Sequence, residues 1–403
     1  MSNDYLSLDR CLCCDAGGLI PVLDLGAQPL ANSYHDNKAP LPHFPLAINL
    51  CGKCFHAQQR VAVNPDLMFK QYSYVSGTSQ TLRDYFDTFA KEVIGRISGP
   101  TGKKVLDIAC NDGSQLASFI KHGWRAWGVD PAENLVDRAR ATGAQVLCEY
   151  WTPEAAKKLG EKFDVIIAQN VFAHVADPYA FLQSSKLVMH EGSKLFIQTS
   201  QADMILNGEF DTIYHEHISF FSARSMQTLA HRAGLFVEDI FITPVHGGSY
   251  VFVLGTNQDE SKAQARLDHE EKEGRYTAGF FHRFADKARA AVRELKEVLG
   301  KYAARGYTLI GFGAAAKGNT LLNFANITLE YIVDENPLKQ NLYTPGMNIP
   351  IYAASRLTEQ QGKVLVVPLA WNFFDEIYRK VKTLRPGHDD IFVTYFPEVL
   401  ERT

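Results

Sequence analysis

The chain has 403 residues, with 41 Lys and Arg against 45 Asp and Glu, which gives a formal net charge of −4. At roughly 100–200 residues per domain, this length predicts two to four domains. With 46% hydrophobic and 21% charged residues, the composition is that of a globular protein. It argues against a disordered chain and against nucleic acid as a partner.

The longest apolar stretches are much shorter than the roughly 18–20 residues that a transmembrane helix needs. One of them, residues 364–371, is also interrupted by Pro368. Residues 1–5 include an acidic residue and do not lead from basic residues into an apolar core, so they do not resemble a secretory signal. We therefore expect a cytoplasmic monomer that acts on a small molecule, with no membrane partner.

The first 75 residues differ in pattern from the rest of the chain. They show little helical periodicity, and turn residues recur at 15–18 and 40–45, which is typical of a small loop-rich domain. Such a domain needs a cross-link, such as a bound metal, to be stable. From Lys103 onward, short apolar runs alternate with helical stretches, which predicts an α/β sheet covered on both faces. The predicted strands are 104–109, 126–129, 164–168 and 194–198.

A polar, charged stretch over residues 257–275 separates this sheet from a second α/β pattern. Apolar residues at helical spacing predict a long helix over 279–305, which we interpret as a connector. Strands are then predicted at 308–311, 331–333 and 363–367. The predicted domains are 1–75, 76–256 and 257–403.

Two Cys-x-x-Cys pairs lie in the first domain, at Cys11 and Cys14 and at Cys51 and Cys54. A two-residue gap lets both thiolates of a pair reach one cation, which predicts a closed tetrahedral zinc site. Because four protein ligands leave no position for substrate, the metal should be structural. Four ordinary buried thiols are the alternative, Cys13 is a spare thiol, and His56 is an inferior substitute ligand.

The first strand of the central segment runs into a turn of small residues and then into a helix, as in a nucleotide-type cofactor loop. The next strand ends at Asp130, where a carboxylate can accept hydrogen bonds from both ribose hydroxyls of an adenosine. Asn170 follows the third strand, and an ordinary core turn is the alternative reading of the loop. The candidate contacts in the loop are Asp107, Ala109, Asn111, Gly113 and Ser114.

This loop lacks the GxGxxG pattern, and Asp107 near the end of its strand suits a cationic or amine-bearing cofactor better than a pyrophosphate. S-adenosylmethionine (SAM) therefore fits better than NAD. The segment resembles the class I methyltransferases, whose loop usually follows the pattern D-x-G-x-G-x-G. Ala109 and Asn111 replace two of those glycines, so residues more restricted than glycine must keep the turn.

Four polar side chains follow one another at Tyr214, His215, Glu216 and His217, between apolar flanks. Polar residues at this density need partners or a function. In an extended segment Tyr214 and Glu216 would share one side and the two histidines the other. A neutral imidazole can act as a general base, and His217 is the first candidate. The alternative is that both histidines are structural, with their ring nitrogens hydrogen-bonded inside the fold.

Two further positions could contribute to the same site. His174 follows the third strand, where substrate-facing loops collect in open α/β sheets. Tyr72 and Tyr74 could lie across the cofactor as a lid, although ordinary surface aromatics would look the same in the sequence.

In the C-terminal segment, a strand and turn over 308–320 offer free backbone amides, Lys317 and the N-terminus of a helix, which together suit an anion. Asp334 ends the next strand, where a hydroxyl-bearing group could be held. A dinucleotide site is the rival interpretation, but the glycine spacing is wrong for it.

Taken together, these motifs resemble the sugar C-methyltransferases that act on nucleotide-linked 4-keto deoxysugars. The resemblance covers nearly the whole chain, including Tyr-x-Glu-His, the segments 72–79 and 170–175, and residues 246–249. It implies a zinc-binding N-terminal domain, a central class I SAM-dependent methyltransferase domain of Rossmann-like fold, and a C-terminal Rossmann-like α/β domain that helps to bind the nucleotide sugar.

The resemblance also implies roles for individual residues. His217 would be the base, with Tyr214, Glu216 and His174 lining the site and Tyr72 or Tyr74 near the methyl donor. The reaction would add a methyl group at C-3′, because the 4-keto group acidifies that hydrogen and an enolate can form. The residues that would hold the nucleotide sugar are His246, Gly313, Lys317, Asn319 and Asp334.

Two rivals remain open from the sequence. One is an O- or N-methyltransferase, which needs no enolisable ketone, and the other is a zinc- and SAM-binding scaffold without activity. The density of polar residues from Tyr214 to His217 argues against the scaffold. The sequence does not choose among sugars, between thymidine and guanosine diphosphate, or between an antibiotic and a surface polysaccharide as the end product.

Overall fold

A computed structural model provides the structure of the protein. It describes residues 4–70, 75–78, 80–97, 103–200, 203–244 and 248–403.

The N-terminal domain is built around two small antiparallel β-structures. Strand β2 (Ile20–Gln28) pairs with β3 (Phe44–Leu50), which pairs with β4 (Ala57–Gln59). Outside this sheet, β1 (Tyr5–Ser7) pairs with β5 (Val61–Val63), and a one-turn helix α1 (Asp66–Phe69) follows. Most of β3 and all of β4 and β5 are buried, so the domain does form a core despite its many loops.

The central domain contains a seven-stranded sheet with the order β12-β13-β10-β9-β6-β7-β8. Five strands are parallel, and β13 is antiparallel to both β10 and β12. Its strands are β6 (Lys104–Ile108), β7 (Arg125–Val129), β8 (Gln145–Leu147), β9 (Phe163–Gln169), β10 (Met189–Thr199), β12 (Phe236–Thr243) and β13 (Ser249–Gly255).

Helices cover both faces of this sheet, which explains why the middle strand β9 has no exposed residue from Val165 to Ala168. The helices of the domain are α2 (Gln80–Arg96), α3 (Ser114–Lys121), α4 (Val136–Ala141), α5 (Pro153–Leu159), α6 (Pro178–Leu187), α7 (Met204–Asn207) and α8 (Ala223–Ala233). The one-turn α7 does not cover the sheet but packs against the long helix over residues 278–304. Short 3₁₀ helices lie at Ser76–Thr78, Phe172–His174 and Phe210–Thr212.

The four strands predicted in this segment are confirmed as β6, β7, β9 and β10. The sequence did not predict the antiparallel strands β12 and β13, which form one edge of the sheet. It also did not predict β11 (Ser219–Phe220), which leaves the central domain and pairs with β4 of the N-terminal sheet. A two-residue strand carries too little periodicity to be recognised, and its partner is more than 150 residues away in the chain.

The C-terminal domain has a six-stranded sheet with the order β16-β15-β14-β17-β18-β19, and only β19 is antiparallel. Its strands are β14 (Thr308–Phe312), β15 (Tyr331–Val333), β16 (Ile351–Tyr352), β17 (Val364–Pro368), β18 (Ile391–Thr394) and β19 (Leu400–Arg402). Its helices are α11 (Ala316–Ala325) and α12 (Phe374–Leu384), with 3₁₀ turns at Ala354–Glu359 and Trp371–Phe373.

The predicted long helix is confirmed as α10 (Ala278–Ala304), and its apolar stripe packs against β2 and β14. One hydrophobic cluster therefore runs from the N-terminal sheet through α10 to the C-terminal sheet. The polar stretch before it forms a helix, α9 (Ser261–Lys272), which packs on the central domain: the buried Glu270 carboxylate accepts hydrogen bonds from Ala223 N and the Tyr250 hydroxyl.

Among the described residues, no helix is both long enough and apolar enough to span a membrane.

Candidate functional site

Four thiols of the N-terminal domain converge on one point. The sulfur atoms of Cys11, Cys14, Cys51 and Cys54 all lie within 4.8 Å of one another, and three of these residues are buried. The Cys11–Cys54 and Cys14–Cys51 sulfur distances are both 3.5 Å. Four cysteine ligands at this spacing fit a tetrahedral Zn²⁺ with no vacant position, which is the donor set of a structural site.

The two pairs are shaped alike by their backbone. In each, the residue after the second cysteine has a positive φ, 59° at Asp15 and 58° at Phe55, and its amide donates to the carbonyl oxygen of the first cysteine. Backbone amides also donate to the sulfurs of Cys11 and Cys51 at 3.5 and 3.4 Å, which stabilises thiolates.

Neither of the two alternative ligands takes part. Cys13 is fully buried but lies outside the cluster, and burial raises the pKa of its thiol. The Nε2 atom of His56 lies 3.2 Å from the Ser219 hydroxyl, and burial lowers the pKa of this imidazole to about 4.

The cofactor loop after β6 keeps a glycine-like backbone. Ala109, Asn111 and Gly113 have φ angles of 62°, 50° and 78°, the left-handed region that glycine adopts without cost. These are the three positions at which the class I loop usually has glycine. Gly113 itself cannot be replaced without a shift, because a Cβ there would lie 2.8 Å from the Cα of Ala139.

Two carboxylates stand at the strand ends beside this loop. Asp130 follows β7, is buried, and accepts hydrogen bonds from Asn111 N and Ala132 N, both at 2.8 Å. Asp130 therefore holds the loop in addition to its predicted contact with ribose. Asp107 lies within β6, and burial, reinforced by Asp130 and Asp112, raises its pKa well above the usual range.

The segment that precedes α2 docks onto the same loop. Ser76 N donates to the Asn111 side-chain oxygen at 3.0 Å, and Gly77 N donates to the Asp112 carboxylate at 2.9 Å. The approach is close, because a Cβ at Gly77 would lie 2.3 Å from the Ser114 hydroxyl. Tyr72 and Tyr74, the predicted lid, lie outside the described residues, but the chain that follows them reaches the cofactor loop.

Buried polar atoms without a hydrogen-bond partner among the described residues occur next to this loop, at the carboxyl ends of the central strands. They include Asn170 Oδ1 after β9, and Gln198 Nε2 and Thr199 Oγ1 at the end of β10. Asn170 has a φ of 55°, and its amide donates to the Gln198 carbonyl oxygen. Because an unpaired buried polar atom is costly, this edge of the sheet is suited to a polar ligand.

His217 is held at both ring nitrogens. Its Nδ1 lies 2.7 Å from the Thr212 carbonyl oxygen, and its Nε2 lies 2.9 Å from the Tyr214 hydroxyl. Since a carbonyl oxygen only accepts hydrogen bonds, Nδ1 carries the hydrogen. Nε2 is then the basic nitrogen, and it accepts a hydrogen bond from the Tyr214 hydroxyl. The imidazole is 5% exposed, whereas Tyr214 is partly exposed.

His174 belongs to the same group of side chains. The His174 ring stacks on the His217 ring, with centroids 5.2 Å apart. It also stacks on the ring of Phe69 in α1, with centroids 5.8 Å apart. Burial lowers the pKa of His174 to about 4, so the ring is neutral near pH 7. The 3₁₀ helix Phe172–His174 thus places an uncharged imidazole against the candidate base.

The other two residues of the polar row bond to the N-terminal domain. The segment is a turn and not an extended strand, so the alternation of sides that an extended segment would have does not apply. His215 faces the N-terminal domain, with Nε2 3.2 Å from the Phe44 carbonyl oxygen, and burial lowers its pKa to about 4. Glu216 is buried and accepts a hydrogen bond from the Asn32 side-chain amide at 2.5 Å.

All three domains hold this turn. Gln59 of β4 donates to the carbonyl oxygens of Tyr214 and His217, at 2.6 and 2.8 Å. Thr320 of α11 donates to the Ile213 carbonyl at 3.2 Å, and Ile218 N donates to the Ala173 carbonyl of the central domain at 2.8 Å.

Sequence reasoning missed Gln59, Thr320 and Asn32. The one available signal was the Gln58-Gln59 pair directly before the apolar run at residues 61–63, because amides that become buried need partners.

The C-terminal loop repeats the bonding of the cofactor loop. Asp334, after β15, accepts from Ala314 N at 2.6 Å and from Asn336 N at 2.7 Å, as Asp130 does from the corresponding amides. Gly313 follows β14 with a φ of 87°. The side-chain amide of Asn319 donates to the Ala31 carbonyl and the Tyr34 hydroxyl, so this buried residue also joins the C-terminal and N-terminal domains.

Lys317 lies at the start of α11, with its Nζ 4.5 Å from the centre of the Trp371 ring. The Trp371 indole donates to the buried Asp211 carboxylate at 2.9 Å. Burial raises the pKa of Asp211, and the nearby Lys317 charge opposes that rise. His246, the remaining predicted substrate contact, lies outside the described residues.

A cavity of about 470 Å³ opens beside Trp371, at the carboxyl ends of β17 and β18. Its walls combine aromatic rings with two arginines and two acids. The lining residues are Trp371, Asn372, Phe373, Phe374, Asp375, Glu376, Arg379, Thr394, Phe396 and Arg402.

Comparison with known protein families matches almost the whole chain. A model described as a zinc binding domain matches residues 11–69, a methyltransferase domain matches 80–240, and a C-methyltransferase C-terminal domain matches 244–397. The matches follow the order of the three domains seen in the structure.

The individual relatives that match the chain include methyltransferases. The chain is 28% identical over 391 residues to the C-methyltransferase NovU of Streptomyces niveus, covering 94% of this chain and 93% of NovU. It is 25% identical over 183 residues to a ubiquinone biosynthesis O-methyltransferase of Aeromonas salmonicida, covering 41% of this chain and 77% of that protein.

Among solved structures, the magnesium protoporphyrin IX methyltransferase of Synechocystis with bound SAH is 14% identical, covers 43% of this chain and 82% of that chain, and has a TM-score of 0.35. The three family models and the similarity to NovU over nearly its full length support a SAM-dependent methyltransferase with a zinc-binding N-terminal domain that is similar to the C-methyltransferase NovU.

Proposed function

We propose that this enzyme methylates C-3′ of a nucleotide-linked 4-keto deoxysugar through an enolate, with His217 as the base. The observation that carries the proposal is the fixed imidazole. Its Nδ1–H is held by the Thr212 carbonyl at 2.7 Å, and its basic Nε2 is turned toward the partly exposed Tyr214. The similarity to the C-methyltransferase NovU supports carbon as the methyl acceptor.

Tyr214 and His217 can have different roles in enolate formation, one as hydrogen-bond donor and the other as base. In the structure the Tyr214 hydroxyl donates to His217 Nε2. When substrate enters, Nε2 accepts the C-3 proton and releases that hydroxyl, which is then free to donate to the 4-keto oxygen as negative charge develops there. The proton stays on an imidazole whose Nδ1–H remains bonded to the Thr212 carbonyl.

The chain's own groups fit the methyl donor at the edge of the central sheet. Asp130 and the left-handed loop at residues 109–113 would hold the adenosine, and the unpaired oxygen of Asn170 faces the same edge. When bound, SAM supplies an electrophilic methyl group. The Ser76–Thr78 turn is hydrogen-bonded to the loop and would help to hold its conformation.

The C-terminal domain would hold the nucleotide part of the substrate. Gly313 and Asp334 lie at the carboxyl end of β14, and Lys317 at the start of α11 places its ammonium over the Trp371 ring. The aromatic and arginine-lined cavity beside Trp371 suits a base and a phosphate. Asn319 would act there mainly through its link to the N-terminal domain. Asp211 connects this region to the 3₁₀ helix that carries Thr212.

The competing function is an O- or N-methyltransferase, because the central segment also resembles ubiquinone biosynthesis O-methyltransferases. Incubation with SAM and a panel of 4-keto nucleotide sugars in deuterated water separates the two. We expect a product with a new carbon-bound methyl and loss of the C-3 hydrogen, seen by NMR. A methyl group on oxygen or nitrogen would contradict the proposal, and turnover of any member of the panel would exclude the scaffold without activity.

A further inference from the structure

One buried side chain of the N-terminal domain bridges both ends of the turn that carries the proposed base. The amide nitrogen of Gln59 lies 2.6 Å from the Tyr214 carbonyl oxygen and 2.8 Å from the His217 carbonyl oxygen. Its two N–H groups can therefore each donate to one end. The turn is closed between the same two residues by a hydrogen bond from His217 N to Tyr214 O, at 2.8 Å.

This clamp acts on the two residues whose side chains make the chemical pair. The Tyr214 hydroxyl and His217 Nε2 meet at 2.9 Å only if their backbones keep their present separation and direction. Gln59 sets that separation from outside the turn. Its amide nitrogen bonds to the carbonyl oxygens of the two residues, so its effect on catalysis would pass through the backbone.

The backbone of Gln59 is fixed by its strand, while its side-chain oxygen has no hydrogen-bond partner among the described residues. Gln59 is fully buried in β4, opposite Ile48 of β3, and its backbone amide donates to the Ile218 carbonyl at 2.8 Å. Water cannot replace the amide at a fully buried position without a rearrangement, so loss of the donor would leave two buried carbonyls without this partner.

We infer that Gln59 is a positioning residue for the base: an amide of the N-terminal domain fixes the Tyr214–His217 pair for proton removal. The inference rests on the proposed role of His217. It gives the N-terminal domain a part in turnover in addition to its own folding, through a contact that involves neither the metal ligands nor the cofactor.

The chain offers a matched control in the adjacent residue. Gln58 is equally buried in β4, but its side chain donates to the Arg10 carbonyl at 3.0 Å and accepts from Leu12 N at 2.8 Å, both in the first metal-binding loop. Gln58→Met and Gln59→Met thus remove the same group from the same strand. Only the second removes the donor to the turn.

We expect Gln59→Met to lower kcat by about 10–100-fold, as a misplaced catalytic group does, with KM for both substrates changed much less. Deuterium exchange at C-3 should slow by the same factor. Gln58→Met should keep kcat near the wild-type value even if its melting temperature falls as far. Equal losses of kcat in the two variants would mean that Gln59 is only structural and would overturn the inference.

A spectroscopic measurement makes the test independent of turnover. With ¹⁵N-labelled histidine, the Nδ1–H of His217 should give a slowly exchanging proton signal, identified by its loss in His217→Asn. We expect Gln59→Met to broaden or remove this signal and Gln58→Met to retain it. An unchanged signal in Gln59→Met would overturn the inference. If Gln59→Met does not fold, Gln59→Leu is the second variant, because its side chain is also apolar and lacks both donors.

These outcomes also separate the inference from the proposed function. If His217→Asn exchanges the C-3 hydrogen normally, the proposed base is wrong. If His217→Asn is inactive and Gln59→Met behaves as wild type, only the positioning role is wrong.

Discussion

Ala109 and Asn111 show how a cofactor loop can keep its shape without the usual glycines. Both adopt the left-handed backbone conformation, which costs a non-glycine residue roughly 1–2 kcal/mol. Asn111 gains something in return, because its side-chain oxygen accepts from Ser76 N. No such contact is seen for the methyl group of Ala109, so the two departures from the glycine pattern are not equivalent.

This difference can be tested with a pair of glycine substitutions. Ala109→Gly should raise the free energy of unfolding by about 0.5–1 kcal/mol, because relief of strain exceeds the entropy cost, and should leave SAM affinity unchanged. Asn111→Gly should weaken SAM binding, since the segment that covers the loop loses a bond. Calorimetry and urea unfolding measure both effects. Equal SAM affinities in the two variants would contradict the assigned role of Asn111.

His215 predicts a pH dependence of stability. Burial lowers its pKa from 6.5 to about 4, so the unfolded chain takes up a proton at a higher pH than the folded chain does. This histidine therefore lowers the free energy of unfolding as the pH falls from about 6.5 to about 4, by up to about 1.4 kcal/mol per pH unit. His215→Gln should make the slope shallower by about 1 kcal/mol per pH unit over that interval. Parallel stability curves for variant and wild type would refute the shift.

At the scale of elements, the two Rossmann-like domains end their second strands in the same way. Asp130 and Asp334 each accept one amide of the preceding loop and one amide two residues ahead. The sequence allowed both positions to be predicted, because an acid at the end of an apolar run is a local pattern. It gave no sign that the acids also hold the loops.

The matched acids lead to opposite predictions for the two ligands. Asp130→Ala should weaken SAM binding by roughly 1.5–3 kcal/mol, since the ribose loses a charged acceptor and the loop loses its anchor. Asp334→Ala should raise KM for the nucleotide sugar and leave SAM affinity near wild type. Calorimetry with SAM on both variants is the measurement. The reverse pattern would assign the cofactor to the C-terminal domain.

Elements formed by local patterns were predictable, and those that depend on distant partners were not. Strands β6, β7, β9 and β10 and helix α10 follow from apolar runs and helical spacing. Strand β11 and the turn from Tyr214 to His217 do not, because their shape depends on Gln59 and on strand β4, more than 150 residues away in the chain.

At the scale of the whole molecule, the candidate site is a junction of three domains. The N-terminal domain contributes Gln59, the C-terminal domain Thr320, and the central domain the 3₁₀ helix with His174. The sequence allowed the candidate residues to be named from motifs, but contacts between residues this far apart leave no periodic or spacing signal. His174 and His217 were both candidates, and the structure shows that they stack.

The metal should stabilise this assembly without entering the chemistry. Replacing Cys14 or Cys51 by Ser should release stoichiometric zinc and lower the melting temperature or the yield of soluble protein, because four thiolates close the site. Metal analysis and thermal unfolding follow the two effects. A well-folded, metal-free variant with normal activity would refute a structural role for zinc.

The central claim, that His217 removes the C-3 proton, is tested most directly by hydrogen exchange in deuterated water. With S-adenosylhomocysteine in place of the methyl donor and a 4-keto nucleotide sugar as substrate, the wild-type protein should wash the C-3 hydrogen out of the sugar. His217→Asn should bind both ligands but not exchange, and its turnover with SAM should fall by about 10²–10⁴-fold. Exchange at the wild-type rate in His217→Asn would contradict the account and would make His174 the next residue to test.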